Sequence, residues 1–93
     1  MKMSQEDKDE LDSLRKEIDK CDNQLFSILK TRCTLAYKIG HIKKCNNLPV
    51  VDMDRFDRMV QDKVIRYSGE LLTETFIRKV YNVIHRHSCK VQR

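Results

Sequence analysis

Residues 11–42 read LDSLRKEIDKCDNQLFSILKTRCTLAYKIGHI, and the spacing within them decides the fold. Leu11, Leu14, Ile18, Cys21, Leu25, Ile28, Arg32, Leu35, Ile39 and Ile42 follow one another at alternating steps of three and four. Such steps return side chains to one side of an α-helix, so the run is an unbroken heptad seam. Arg32 alone breaks its apolar rule. A second stripe (Leu25, Leu29, Ala36, Ile39) lies beside the first, which makes the apolar face wider than a two-stranded coiled coil needs. The pattern predicts one helix from about residue 7 to 45, with Gly40 tolerated inside it. Asn46-Asn47-Leu48-Pro49 then ends it, because proline disfavours α geometry in the residue before it.

Two shorter helices follow. Asp52 is the expected N-cap of the second, which carries Phe56, Met59, Val60, Val64 and Tyr67 on one side and stops at Ser68-Gly69. Thr73 is the expected cap of the third, with Glu74 in its first turn. The apolar stripe of that helix is Ile77, Val80, Tyr81, Ile84 and Val91, flanked by Phe76 and Val83. The remaining composition agrees with an all-α chain: 93 residues hold two glycines, one proline and no tryptophan, with 35% charged and 40% hydrophobic residues. This is one domain, residues 1–93, with residues 1–6 read as a flexible lead-in.

Length bears on oligomeric state. A helix from 7 to 45 is roughly 58 Å long. A compact globule of this chain length is about 30 Å across. The two short helices cannot cover both ends of the first, so much of its seam would stay wet in a monomer, at roughly 25 cal/mol per Å² of apolar surface. A partner chain is the simplest cover, and an intertwined homodimeric helical bundle is the expected architecture.

The formal charge of +5 favours anionic partners, but 14 acidic residues are interspersed with the 19 basic ones. No basic stripe of five or more appears, which argues against nucleic acid. The opening MKMSQEDKDELDSL is polar and acidic, without the apolar run of an export signal. No segment nears the roughly 18 apolar residues of a membrane span. A cytoplasmic chain with no membrane partner is expected. Cys21, Cys33, Cys45 and Cys89 form no C-x-x-C pair, so they read as reduced thiols packing as small hydrophobes. No metal site is expected: His85 and His87 point about 200° apart on a helix, and no cysteine sits at ligand spacing.

Several charges sit where packing alone would not put them. Arg32 needs an anion, since an unpaired buried guanidinium costs several kcal/mol. That anion is either a structural carboxylate such as Asp22 or a ligand. Lys43 follows 11 residues later on nearly the same face, about 16 Å along the axis. It is either a solvated helix-end lysine or part of a site. Arg15 lies about 25 Å from Arg32 along one helix, and would share a small ligand with it only from an antiparallel partner. Ser88 and Gln92, at i and i+4, continue the face of Ile77 and Ile84, although Gln92 is penultimate and a frayed end would make the pair trivial. A polar pocket lined by three cations and an amide suits a small dicarboxylate, because arginine forks grip carboxylates bidentately. With no nucleophile–base pair and no phosphate loop, its chemistry must rest on positioning and electrostatics.

The chain resembles the all-α chorismate mutases. The similarity runs through Leu11-x-x-Leu14-Arg15-x-x-Ile18-Asp19-x-x-Asp22, Arg32, Gly40-x-x-Lys43, Leu48-Pro49-Val50-x-Asp52-x-x-Arg55 and Ser88-x-x-x-Gln92. It covers about residues 11–92 in order. The resemblance implies a cofactor-free Claisen rearrangement of chorismate to prephenate in aromatic amino-acid biosynthesis, by a homodimer with shared sites. It implies that Arg15 of the neighbouring subunit and Arg32 hold the two carboxylates, and that Lys43 and Gln92 hydrogen-bond the ether oxygen. Asp52 and Arg55 would shape the site at the head of the second helix, and Ser88 would support a carboxylate. Two positions depart from the family pattern. Many relatives carry a glutamate, contacting the ring hydroxyl, where this chain has Phe56, and some carry an arginine where it has Val51. Phe56 is therefore either a pocket residue or core packing. The alternatives are a mutase or lyase for a close analogue (4-amino-4-deoxychorismate or isochorismate) and a non-catalytic helical dimer.

Overall fold

A computed structural model describes residues 2–93 and contains three helices: α1 (Gln5–Cys45), α2 (Met53–Tyr67) and α3 (Glu74–Gln92). Among the described residues there is no strand, as the all-α reading requires. α1 starts slightly before the expected residue 7 because Ser4 caps it, its Oγ accepting from the Asp7 N–H at 3.1 Å. Both other expected caps are present. The Asp52 carboxylate accepts from the Arg55 N–H at 3.0 Å, and the Thr73 hydroxyl accepts from the Phe76 N–H at 3.3 Å. Ser68 closes α2 with its N–H on the Val64 carbonyl.

The chain divides into two compact units, one ending at Arg32 and the other running from Cys33 to Arg93. The first unit is the earlier part of α1, and its seam is wet. Ile18 is 59% exposed, Leu25 51% and Ile28 66%, with Phe26 beside them at 67%. The second unit holds the remainder of α1 with α2 and α3. Its core is small: Ala36, Val60, Val64, Ile77 and Cys89 are buried, together with Ser88. Phe56 and Met59 of α2 and Tyr81, Ile84 and Val91 of α3 are half-buried around them. Among the described residues no buried side-chain nitrogen or oxygen lacks a hydrogen-bond partner.

The thiols are free. Cys89 behaves as the small core hydrophobe the composition suggested, whereas Cys21 and Cys45 are exposed. Among the described residues no cluster of three or more histidine, cysteine or acidic groups is placed to hold a metal. No helix among them is long and apolar enough to cross a membrane. A partly exposed ion cluster decorates α2: the Asp62 carboxylate accepts from Arg66 at 2.9 Å and from Lys63 at 3.0 Å.

Candidate active site

The second unit assembles a site around Lys43. The end of α1 is folded back on itself: the Leu48 N–H donates to the Lys43 carbonyl at 2.8 Å, and the Asn46 side-chain amide donates to the Ile42 carbonyl at 2.8 Å. Asn47 takes a positive φ of 54°, a conformation that asparagine accepts more readily than most residues. This reversal brings the Val50 carbonyl back toward the helix, where the Lys43 ammonium donates to it at 2.8 Å. Lys43 donates a second bond, also 2.8 Å, to Gln92 Oε1 at the far end of α3.

That second bond fixes the orientation of the Gln92 amide. Its oxygen faces Lys43, so its two N–H donors are directed elsewhere. The third N–H of Lys43 is not engaged by either acceptor. A half-buried ammonium is thereby held against a neighbouring amide, and both groups are donors of the kind that can stabilise an oxygen gaining negative charge. Lys43 also lines an open cleft of about 410 Å³ with Leu48, Pro49, Val51, Asp52, Met53 and Asp54.

Of the other residues singled out in the sequence, Asp52 stands at the head of α2 as its cap, with Arg55 exposed in the first turn. Ser88 is buried on α3, one turn before Gln92. Phe56 reaches from α2 to α3, its ring centroid 4.3 Å from the His85 imidazole and 5.6 Å from the Tyr81 ring. Arg15 and Arg32 belong to the first unit, Arg15 exposed and Arg32 half-buried. Two contributors escaped the sequence. The Val50 carbonyl carries no side-chain signal at all. Gly40 was read as merely tolerated, although it packs against the backbone of Gln92.

Residues 14–93 match the family model described as chorismate mutase type II. The chain belongs to the chorismate mutase type II family. A bifunctional chorismate mutase/prephenate dehydratase of Aquifex aeolicus is 36% identical over 78 residues, covering 84% of this chain but 21% of that protein. The mutase-family chain thus spans about a fifth of the length of that relative. A 4-amino-4-deoxychorismate mutase of Streptomyces venezuelae is 30% identical over 87 residues, covering 92% of this chain and 84% of its own. Among solved structures, a conserved hypothetical protein of Pyrococcus furiosus is 38% identical with a TM-score of 0.74, covering 89% of this chain and 95% of that one.

Proposed function

We propose that this chain is a chorismate mutase, converting chorismate to prephenate as a cytoplasmic homodimer. The reading rests above all on the Lys43 ammonium and Gln92 amide, joined at 2.8 Å, with donors on both side chains that this bond does not use. In a Claisen rearrangement the ether C–O bond breaks as a new C–C bond forms, with no proton or atom gained or lost. Charge accumulates on the ether oxygen during that step, so donors aimed there bind the transition state better than the substrate. A millionfold acceleration corresponds to about 8 kcal/mol of such preference.

The remaining roles follow the family pattern. Arg32 and the partner subunit's Arg15 hold the two carboxylates and favour the compact conformer that reacts. Asp52, Arg55 and Phe56 shape the ring side of the site, and Ser88 supports a carboxylate. The dimer is supported by the wet seam of the first unit, with Leu14, Ile18, Leu25 and Ile28 all about half exposed or more in the single chain. Apolar surface of that extent on a helix calls for a second copy.

A second reading has its own support. Relatives named 4-amino-4-deoxychorismate mutase match over nearly the whole chain, and Phe56 offers no carboxylate to a ring hydroxyl. Assaying the purified protein against chorismate and against 4-amino-4-deoxychorismate, by loss of substrate absorbance, separates the two. Turnover of chorismate is expected. Turnover of the amino analogue alone would replace the first reading with the second, and inertness toward both would remove the enzyme assignment. Sedimentation should give twice the chain mass of 11.1 kDa; a stable 11.1 kDa species would refute the dimer.

A further inference from the structure

Gly40 lies on the buried side of α1, three residues before Lys43. Glycine inside a helix is less favourable than every residue but proline, so its presence there calls for a cause. A Cβ added to Gly40 would lie 2.5 Å from the Cα of Gln92, 2.6 Å from its carbonyl oxygen and 3.0 Å from its carbonyl carbon. Non-bonded carbons rest about 3.5–4.0 Å apart. All three colliding atoms are backbone, so no change of rotamer relieves the overlap. The last turn of α3 would have to retreat by about 1 Å to restore ordinary contact.

Gln92 is also the residue whose amide Lys43 holds at 2.8 Å. A retreat of about 1 Å would stretch that bond beyond hydrogen-bonding distance. Lys43 is not free to follow, since its other bond ties it to the Val50 carbonyl at 2.8 Å. We propose that Gly40 is a positioning residue: its missing side chain lets the end of α3 seat on α1, and that seating sets the Lys43–Gln92 pair. Gly69 is a useful contrast, because a Cβ there would meet nothing within 4 Å. The kinetic consequence of Gly40 rests on the mutase function proposed above, while the geometric consequence does not.

The test compares Gly40→Ala, Gln92→Ala, the double variant and Gly69→Ala in the full-length dimer, by steady-state kinetics on chorismate and by crystal structures. Gly40→Ala should lower kcat about tenfold to a hundredfold, less than the complete loss of one transition-state donor because the amide is displaced and not removed, with KM within about threefold. The double variant should be no slower than Gln92→Ala alone, because both act through the same amide. The crystal structure of the Gly40→Ala single variant should show the Lys43 Nζ–Gln92 Oε1 separation beyond about 3.5 Å. Gly69→Ala should leave kcat unchanged. Fully additive losses, an unaltered kcat, or a Lys43–Gln92 bond kept at its present length would each overturn the proposal. If the wild type turns over neither chorismate nor its amino analogue, the function fails, and the crystallographic distance still decides Gly40. Should Gly40→Ala be too unstable to assay, the chain ending at Val91 lacks the colliding atoms. In that background Gly40→Ala should hold or raise the thermal midpoint, as this change does in an unobstructed helix, and a lowered midpoint would overturn the proposal.

Discussion

Replacing Lys43 by methionine separates catalysis from folding most cleanly. Methionine keeps most of the apolar stem and removes the ammonium, and with it the two 2.8 Å bonds to Val50 and Gln92. A hydrogen bond to a fully buried charge is worth about 1.5–3 kcal/mol. Lys43 is half-buried beside an open cleft, so water can reach the orphaned acceptors and each loss should be nearer about 1 kcal/mol. The total, about 1–2 kcal/mol, would lower the melting temperature by roughly 5–15 °C for a domain of this size. Activity should fall much further. Loss of one neutral donor at a developing oxyanion costs about a hundredfold to a thousandfold in kcat. Here the charged donor disappears and the Gln92 amide loses the partner that orients it, so kcat/KM should fall about a thousandfold or more, about 4 kcal/mol. Initial rates of chorismate loss and thermal circular dichroism on the same preparation give both quantities. A folded Lys43→Met protein retaining more than a tenth of wild-type kcat/KM would refute the assignment of Lys43 to the reacting oxygen.

Subunit sharing predicts complementation. Arg15→Ala and Arg32→Ala should each be inactive yet dimeric, and co-expressed heterodimers should regain activity from one intact site; verified heterodimers without activity would exclude a shared site. Phe56→Glu loses the ring contacts to Tyr81 and His85, worth about 0.5–1.5 kcal/mol each beyond burial. It should therefore melt earlier, yet raise kcat/KM on chorismate about tenfold by giving the ring hydroxyl a charged acceptor. An equal or lower kcat/KM in the folded fraction would make Phe56 a packing residue alone. Arg66, then Lys63, hold the Asp62 carboxyl below its ordinary value by hydrogen bonding to it. The folded state therefore gains stability above the unfolded carboxylate pKa and loses it as pH falls through the lowered one. Asp62→Asn should melt slightly earlier than wild type at neutral pH and alike in acid; a larger difference in acid would contradict that sign.

The order of elements was legible because it depends on local physics. The three-and-four spacing from Leu11 to Ile42 compels a helix whatever surrounds it. Asp52 and Thr73 cap because a short polar side chain satisfies a nearby N–H, and Pro49 ends α1 by steric exclusion one residue away. Ser88 and Gln92 stood out as polar residues on an apolar stripe. Spacing alone let Lys43 and Gln92 be suspected separately; only the family resemblance brought them to one oxygen, and their direct bond to each other was not legible.

Their pairing spans 49 positions, a distance over which no propensity or periodicity carries information. It depends on how closely α3 approaches α1, and that approach is set by the absence of a side chain at Gly40. The Val50 carbonyl belongs to a backbone group that every residue possesses, so its role as a lysine acceptor has no signature in residue type. Phe56 shows the same division. Its place on the apolar side of α2 follows from spacing, while its partners Tyr81 and His85 follow from the packing of α2 on α3. Sequence thus determined which elements form and which faces they bury, because those depend on neighbours a turn away. Tertiary structure alone decided which distant groups meet, because contact at 2.8 Å depends on backbone approach to within a single methyl group.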